Sequence, residues 1–358
     1  MSGLLLGSAS TRGPLTEALC ARLLSTPQPA PELVERAASA VAASDGSTLF
    51  DDDLQLALTW AYELHYRGLA GVDERWEWHP DVLAAAAVVE AAFERDLRKL
   101  AEARLPAGPV APDGVPNALT ALIKADDSPS LSRHVSRHAS SFELAEFLMH
   151  RSAYHLKEAD PHTWAIPRLS GRPKAALVEI QADEYGGGDP ARMHSALFAL
   201  TMRTVGLDDT YGHYVDRLPA VTLAWVNAMT FFGIHRRHRG AAVGHLAVVE
   251  MDSSLPNRLY SNGLRRLGFD SAATAFFDEH VEADAVHEQI AAHDLAGRLA
   301  QQDPALVPDI LFGAAVALAT GGLVSTHLLE SWASGRSSLR VPPPSLPVPA
   351  GVAALSVS

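Results

Sequence analysis

The stretch His280-Val-Glu-Ala-Asp284-Ala-Val-His287 concentrates two imidazoles and a carboxylate in a short span. An α-helix turns about 100° per residue, so Asp284 falls about 40° to one side of His280 and His287 about 20° to the other. All three share one stripe. Imidazole nitrogen and carboxylate oxygen, with no thiolate, suit a metal such as iron or manganese. The same residue types also decorate the wet face of many ordinary helices, so the other elements decide between the readings.

Two further stretches offer partners. Glu184 closes a helical pattern just before Gly186-Gly187-Gly188, and His194 follows the glycines. On an unbroken helix the two would lie about 80° apart. Glycines cost about 1 kcal/mol each in a helix, so three in a row mark backbone needed for a turn or a close approach. Glu250 ends the apolar run Gly244-His-Leu-Ala-Val-Val-Glu250. A carboxylate beside Val248 and Val249 is expected to be partly buried and must meet a metal, a histidine or an arginine. Arg236, Arg237 and Arg239 are the salt-bridge alternative. Together Glu184, His194, Glu250, His280, Asp284 and His287 provide three carboxylates and three imidazoles, a donor set with room for two metals in a helical bundle.

The elements that would position them read as helices throughout. Apolar residues recur at threes and fours over 15–24, 31–43, 51–66 and 81–105. They recur again over 118–125, 140–158, 173–185, 215–232, 241–250, 257–267, 271–296 and 304–334. Asp189-Pro190 is expected to restart the chain into a helix reaching Val205, with Asp as N-cap and Pro at the first position. No stretch alternates in the manner of a strand, so the class is all-α. Residues 1–104 form an N-terminal helical extension for packing or dimerisation, and 105–116 read as a linker rich in turn residues. Residues 117–336 hold every candidate ligand. The segment 337–358 is proline-rich and expected to be disordered.

Composition narrows the classes further. The chain of 358 residues carries a net charge of −13, which argues against nucleic acid or an anionic membrane as the main partner. Cys20 is the single cysteine, so intrachain disulfides, multi-thiolate zinc and iron–sulfur clusters are excluded and a cytoplasmic location is expected. The apolar run Leu311 to Leu329 includes two adjacent glycines and His327, and reads as a buried core helix rather than a membrane span.

The pieces 182–194, 244–250 and 280–287 resemble the haem-oxygenase-like diiron oxidases and oxygenases, over roughly residues 140–336. The resemblance implies a haem-oxygenase-like helical bundle holding two Fe(II) ions without haem, and dioxygen as co-substrate. All six ligand positions of the family are matched by Glu184, His194, Glu250, His280, Asp284 and His287, with one carboxylate bridging. In an N-oxygenase branch an additional glutamate joins from a preceding helix, and Glu158 stands in its place as an auxiliary ligand. The implied activity is oxygenation or oxidation of a small amine- or carboxylate-bearing metabolite, N-oxygenation first, with an electron donor. Oxidative C–C cleavage or desaturation of an amino or fatty acid is the alternative at the same site. A metal-free binding or interaction module is the alternative of another class.

Several other residues are candidates for supporting roles. Phe276 and Phe277 would line a pocket. Arg203, Arg236, Arg237 and Arg239 are candidate anchors for a substrate carboxylate. Asp294, one heptad past His287, would return to the metal stripe. His155, three residues before Glu158, reads as a ligand or as half of a surface pair. His150, His235, His238, His245 and His293 offer no partner from spacing alone.

Overall fold

A computed structural model describes residues 3–6, 10–44 and 46–342, with the side chains of Leu5 and of residues 282–286 outside the described set. The chain folds as an all-α bundle. In order, the helices are α1 (Pro14–Leu23), α2 (Glu32–Ala43), α3 (Asp52–Glu63), α4 (Pro80–Glu102), α5 (Val115–Ala125) and α6 (Leu131–Arg137). They continue as α7 (Ser141–His155), α8 (Asp160–Thr163), α9 (Gly171–Glu184), α10 (His194–Val205), α11 (Ala220–Ile234) and α12 (Arg239–Met251). The last are α13 (Ser254–Arg266), α14 (Ser271–Gln289), α15 (Arg298–Gln302) and α16 (Val307–Ala333). A single parallel pairing of Leu4–Leu5 with Leu69–Ala70 adds a strand contact that the sequence pattern does not announce.

Local chemistry explains where helices begin. Ser140 caps α7 through a reciprocal box with Glu143, and the Asp51 side chain accepts the Leu54 N–H at the start of α3. α11 is apolar on every face and buried along nearly its whole length, which makes it the bundle's central helix. α16 is long and apolar enough to cross a membrane, but 72% of its most apolar window is buried inside the bundle. It therefore serves as a core helix, packed most closely on α12.

The N-terminal helices dock onto this bundle. The Asn227 amide of α11 donates to Gln55 O and Oε1 of α3, each at 2.9 Å, in a buried network. Glu63, at the end of α3, is ion-paired in the interior with Lys157 and accepts the Tyr211 hydroxyl at 2.6 Å. Lys157 precedes Glu158, so the extension steadies the turn on which that carboxylate sits. At the other end, residues 337–342 are ordered. Ser338 N and Oγ and Trp332 Nε1 all donate to the buried Glu146 carboxylate. Residues 343–358 lie outside the described residues.

Three departures from expectation bear on the site. α10 begins at His194 rather than at Asp189, because Asp189 Oδ1 accepts the Ala191 N–H and folds residues 189–192 into a turn. α7 ends at His155, and Glu158 is reached through a turn that places Ala159 at φ 76°, the only non-glycine with positive φ among the described residues. The expected helix 271–296 is α-helical only to Gln289, and Ile290–Gly297 winds as a π-helix. That wider winding rotates later side chains off the α-helical stripe. Asp294 accordingly pairs with Arg172 at the surface, not with the ligand stripe.

Candidate metal centre

The bundle brings the candidate ligands from five elements to one buried place. Glu184 is the last residue of α9 and His194 the first of α10. Gly186, Gly187 and Gly188 join them, with φ of 70°, 62° and 90°. A Cβ on Gly186 would stand 2.7 Å from the backbone of Arg192 and Met193, so the hairpin needs glycine both for its dihedral angle and for its closeness. The result is His194 Nδ1 3.0 Å from Glu184 Oε2. Glu250 arrives from α12, His280 and His287 from α14, and Glu158 from the turn after α7.

Two groups form. Ligand atoms of Glu158, Glu184, His194 and His280 lie within 4.8 Å of one another, and so do those of Glu184, Glu250 and His287. Every member is buried, and Glu184 belongs to both groups. The sequence left open which carboxylate would be shared, and Glu184 is the residue common to both groups. Asp284, expected as a ligand from the same helix, has its side chain outside the described residues.

The donors fit metal ions better than one another. His194 Nδ1, His287 Nδ1 and Glu158 Oε2 are buried without a hydrogen-bond partner. His287 Nδ1 is 3.3 Å from Glu250 Oε2, and His280 Nε2 is 3.7 Å from Glu158 Oε1. These pairs are close, yet His194 and His287 are not aligned as donors to their carboxylates, which is how ligands aimed at a shared third atom are placed. The opposite ring nitrogens are spoken for. His280 Nδ1 donates to the Phe276 carbonyl at 2.8 Å, and His287 Nε2 donates to Asp183 Oδ2 at 3.0 Å. Such outer hydrogen bonds fix the tautomer and turn the other ring nitrogen toward the carboxylates of the centre.

Electrostatics carry the same message. Burial disfavours a charged His287, yet Glu250, Asp183 and Glu184 outweigh it and raise its pKa to about 9. His194 is also raised, burial being outweighed by Glu184. For Glu158 burial works against the carboxylate, but His155 and His280 hold it well below the usual range. With no metal bound, a protonated His287 therefore balances buried carboxylates at neutral pH, and a metal bound through it must displace that proton. Metal affinity is accordingly expected to climb as pH rises from 7 to 9, by about tenfold per unit for each proton displaced. Isothermal titration with Mn(II) in two buffers of different ionisation enthalpy measures the proton release; a flat profile would count against His287 as a ligand.

The structure also supplies residues that spacing alone passed over. Asp183 was hidden beside Glu184 in the sequence, and it holds His287 from the solvent side. Asp183→Ala is expected to weaken metal binding about 10–100-fold while leaving the fold intact, checked by metal competition and thermal melting. His155 is not a surface residue: it is buried, with Nδ1 2.9 Å from Glu158 Oε1. His245 pairs with His162 at 3.3 Å in the interior, and burial depresses both pKa values. His150 is held between Thr222 and Ser338, His235 meets Glu90, His238 lies near Glu94, and His293 is exposed.

A cavity of about 470 Å³ opens onto the ligand groups, its wall including Phe276, Phe277, Trp225, Met229 and Tyr154 beside Glu158, Glu184, Glu250 and His280. The arginines expected to anchor a substrate are elsewhere. Arg203 is paired with Asp209, Arg237 with Glu94 and Arg239 with Asp303, while Arg236 is exposed away from the cavity wall. Asp209 and Asp303 from loops and Glu94 from α4 neutralise the first three.

An all-α bundle with a buried carboxylate–histidine centre defines an oxidoreductase of the iron-containing kind, and residues 145–322 match the family of iron-containing redox enzymes. The matched stretch contains all seven candidate ligands. Among individual proteins, the chain is similar to the nitrosourea synthase of Streptomyces achromogenes subsp. streptozoticus, 27% identical over 161 residues. That alignment spans 44% of this chain and 34% of the relative, so the similarity reaches about a third of the relative's length.

Proposed function

We propose that this protein is a non-haem diiron enzyme that uses dioxygen to oxidise a small amine- or carboxylate-bearing metabolite, with N-oxygenation as the leading reaction. The observation that carries the reading is Glu184 shared between two buried ligand groups, the arrangement a bridging carboxylate requires. Glu158, His194 and His280 would hold one ion, Glu250 and His287 the other. Asp284, next on the α14 stripe, is assigned to the centre on its place in the sequence.

Two ferrous ions bound there would supply the electrons for dioxygen reduction, with an external donor restoring them. The protein's own part is binding, orientation and exclusion of water. Phe276, Phe277 and Trp225 supply apolar surface beside the ligand groups, which strengthens electrostatic interactions next to them. Tyr154 stays a phenol, because burial and then the charges of Glu158, Glu184 and Glu250 push its pKa well above 10. It keeps its proton and so offers a hydrogen-bond donor on that wall. N-oxygenation is favoured by Glu158 lying within the first ligand group and by the relative's name, nitrosourea synthase. Nitrosation itself is not carried over, given how little of that protein is matched.

Anaerobic Fe(II) loading with metal analysis, followed by stopped-flow mixing with dioxygen, tests the metal reading. Near-zero iron would overturn it and leave a metal-free bundle. Oxygen from labelled dioxygen appearing on nitrogen of a turned-over amine supports the leading reaction. Products that are only alkenes or cleaved chains would move the assignment to desaturation or C–C cleavage.

A further inference from the structure

Two guanidiniums lie on the cavity wall, those of Arg133 and Arg151; Arg133 is exposed, whereas Arg151 is half-buried. Arg151 lies within 4 Å of no Asp or Glu oxygen among the described residues, in a chain with 42 acidic and 29 basic residues. Its surroundings are aromatic. The guanidinium carbon stands 5.0 Å from the Trp225 ring, 5.4 Å from Phe147 and 5.7 Å from Tyr260. Rings attract the cation through their faces without consuming its N–H groups. The hydrogen-bond acceptor it does meet is the Tyr260 hydroxyl, 3.3 Å from Nη2, out of five N–H donors an arginine carries. Phe147, Trp225 and Tyr260 themselves line the cavity with Arg151.

Position along the helix turns this into a ruler. Arg151, Tyr154 and His155 occupy i, i+3 and i+4 on α7, one face, and all three line the cavity. Glu158 follows on the turn beyond. A helical rise of 1.5 Å per residue puts Arg151 about 6 Å along the axis from His155, which is hydrogen-bonded to Glu158. We propose that Arg151 is the specificity residue that binds the carboxylate, or a like anion, of a substrate whose reacting end extends along the cavity past His155 to the Glu158–Glu184–His280 centre. The aromatic collar holds the fork in place and excludes water, which makes a charge-assisted contact stronger. The proposal rests on reading that centre as the site of reaction, but the binding claim is tested apart from it.

The test measures binding of straight-chain acids from butanoate to dodecanoate, their ω-amino derivatives and the matching carboxamides by calorimetry. Wild type, Arg151→Gln and Arg151→Lys are each assayed with iron loaded and with metal removed. Wild type is expected to prefer acid over amide at the lengths that span the cavity. Arg151→Gln should weaken the acid by about tenfold or more and leave the amide within about twofold. Arg151→Lys should fall between the two, since it keeps the charge but not the fork. Unchanged amide binding shows that the cavity still folds. Retention of the preference in metal-free wild type, with its loss in Arg151→Gln, supports Arg151 even if the metal reading fails. No acid preference at any length overturns the proposal. So does an acid preference that disappears with the metal and is untouched by Arg151→Gln, which would mean the anion binds the metal.

Discussion

Glu184→Ala is expected to abolish metal binding in both ligand groups at once, taking iron per chain from the two ions proposed to near zero. The reason is geometric: Glu184 is the member the two groups share, so its loss leaves Glu158, His194 and His280 on one side and only Glu250 and His287 among the described ligands on the other. Removing a partner outside the coordination sphere already costs about 10–100-fold in affinity, and a bridging ligand should cost more. Glu250→Ala should instead leave one ion bound, because the first group is untouched. The contrast is read by metal analysis after anaerobic loading and by melting. A metal at about 100 times its Kd adds roughly 2.7 kcal/mol of stability, which should appear in wild type and be absent in Glu184→Ala. Equal iron in Glu184→Ala and Glu250→Ala would remove Glu184 from the bridging position.

The second large effect concerns the helices beneath the centre. Gly244 of α12 and Gly313 of α16 face each other's backbones: an added Cβ would lie 1.8 Å from Ile310 O at the first and 2.0 Å from Ala241 O at the second. No rotamer change relieves a clash with backbone, so α12 and α16 must move apart. Gly244→Ala or Gly313→Ala is therefore expected to destabilise the protein by at least ~3 kcal/mol, at or beyond the upper range for overpacking. It should also weaken metal binding, since α12 carries Glu250 only two turns further on. Gly321→Ala in α16 is the matched control, because a Cβ there meets nothing within 4 Å. It is expected to be neutral or to stabilise by up to about 1 kcal/mol. Denaturant melts of the three variants decide it; a Gly244→Ala midpoint equal to that of Gly321→Ala would mean that the two helices can separate at no cost.

Much of the scaffold was legible because helices announce themselves locally. The threes-and-fours pattern located α3, α4, α11 and α16, and it put the start of α7 at residue 140. The places where local signals misled are those where two local options compete. Asp189-Pro190 reads as a helix start, but the same aspartate serves a turn when the chain must double back to bring His194 to Glu184. The run from 271 to 296 looks uniformly α-helical, and the π winding after Gln289 leaves no mark in apolar periodicity. Asp294 was misplaced for that reason alone.

Residue types and spacing by themselves determined which chemistry was open: oxygen and imidazole donors, no thiolates, an acidic helical chain, and a stripe from His280 to His287 able to face a metal. Only the tertiary structure decided how the donors are shared. That Glu184 stands in both groups, that Asp183 and the Phe276 carbonyl orient the two α14 histidines, and that Arg151 rather than Arg203 or the 236–239 cluster faces the cavity all depend on contacts between distant segments. A helix face can be read from one turn to the next, because its periodicity is a property of the local backbone. Which carboxylate meets which cation is settled by how whole helices pack, and no local spacing encodes it.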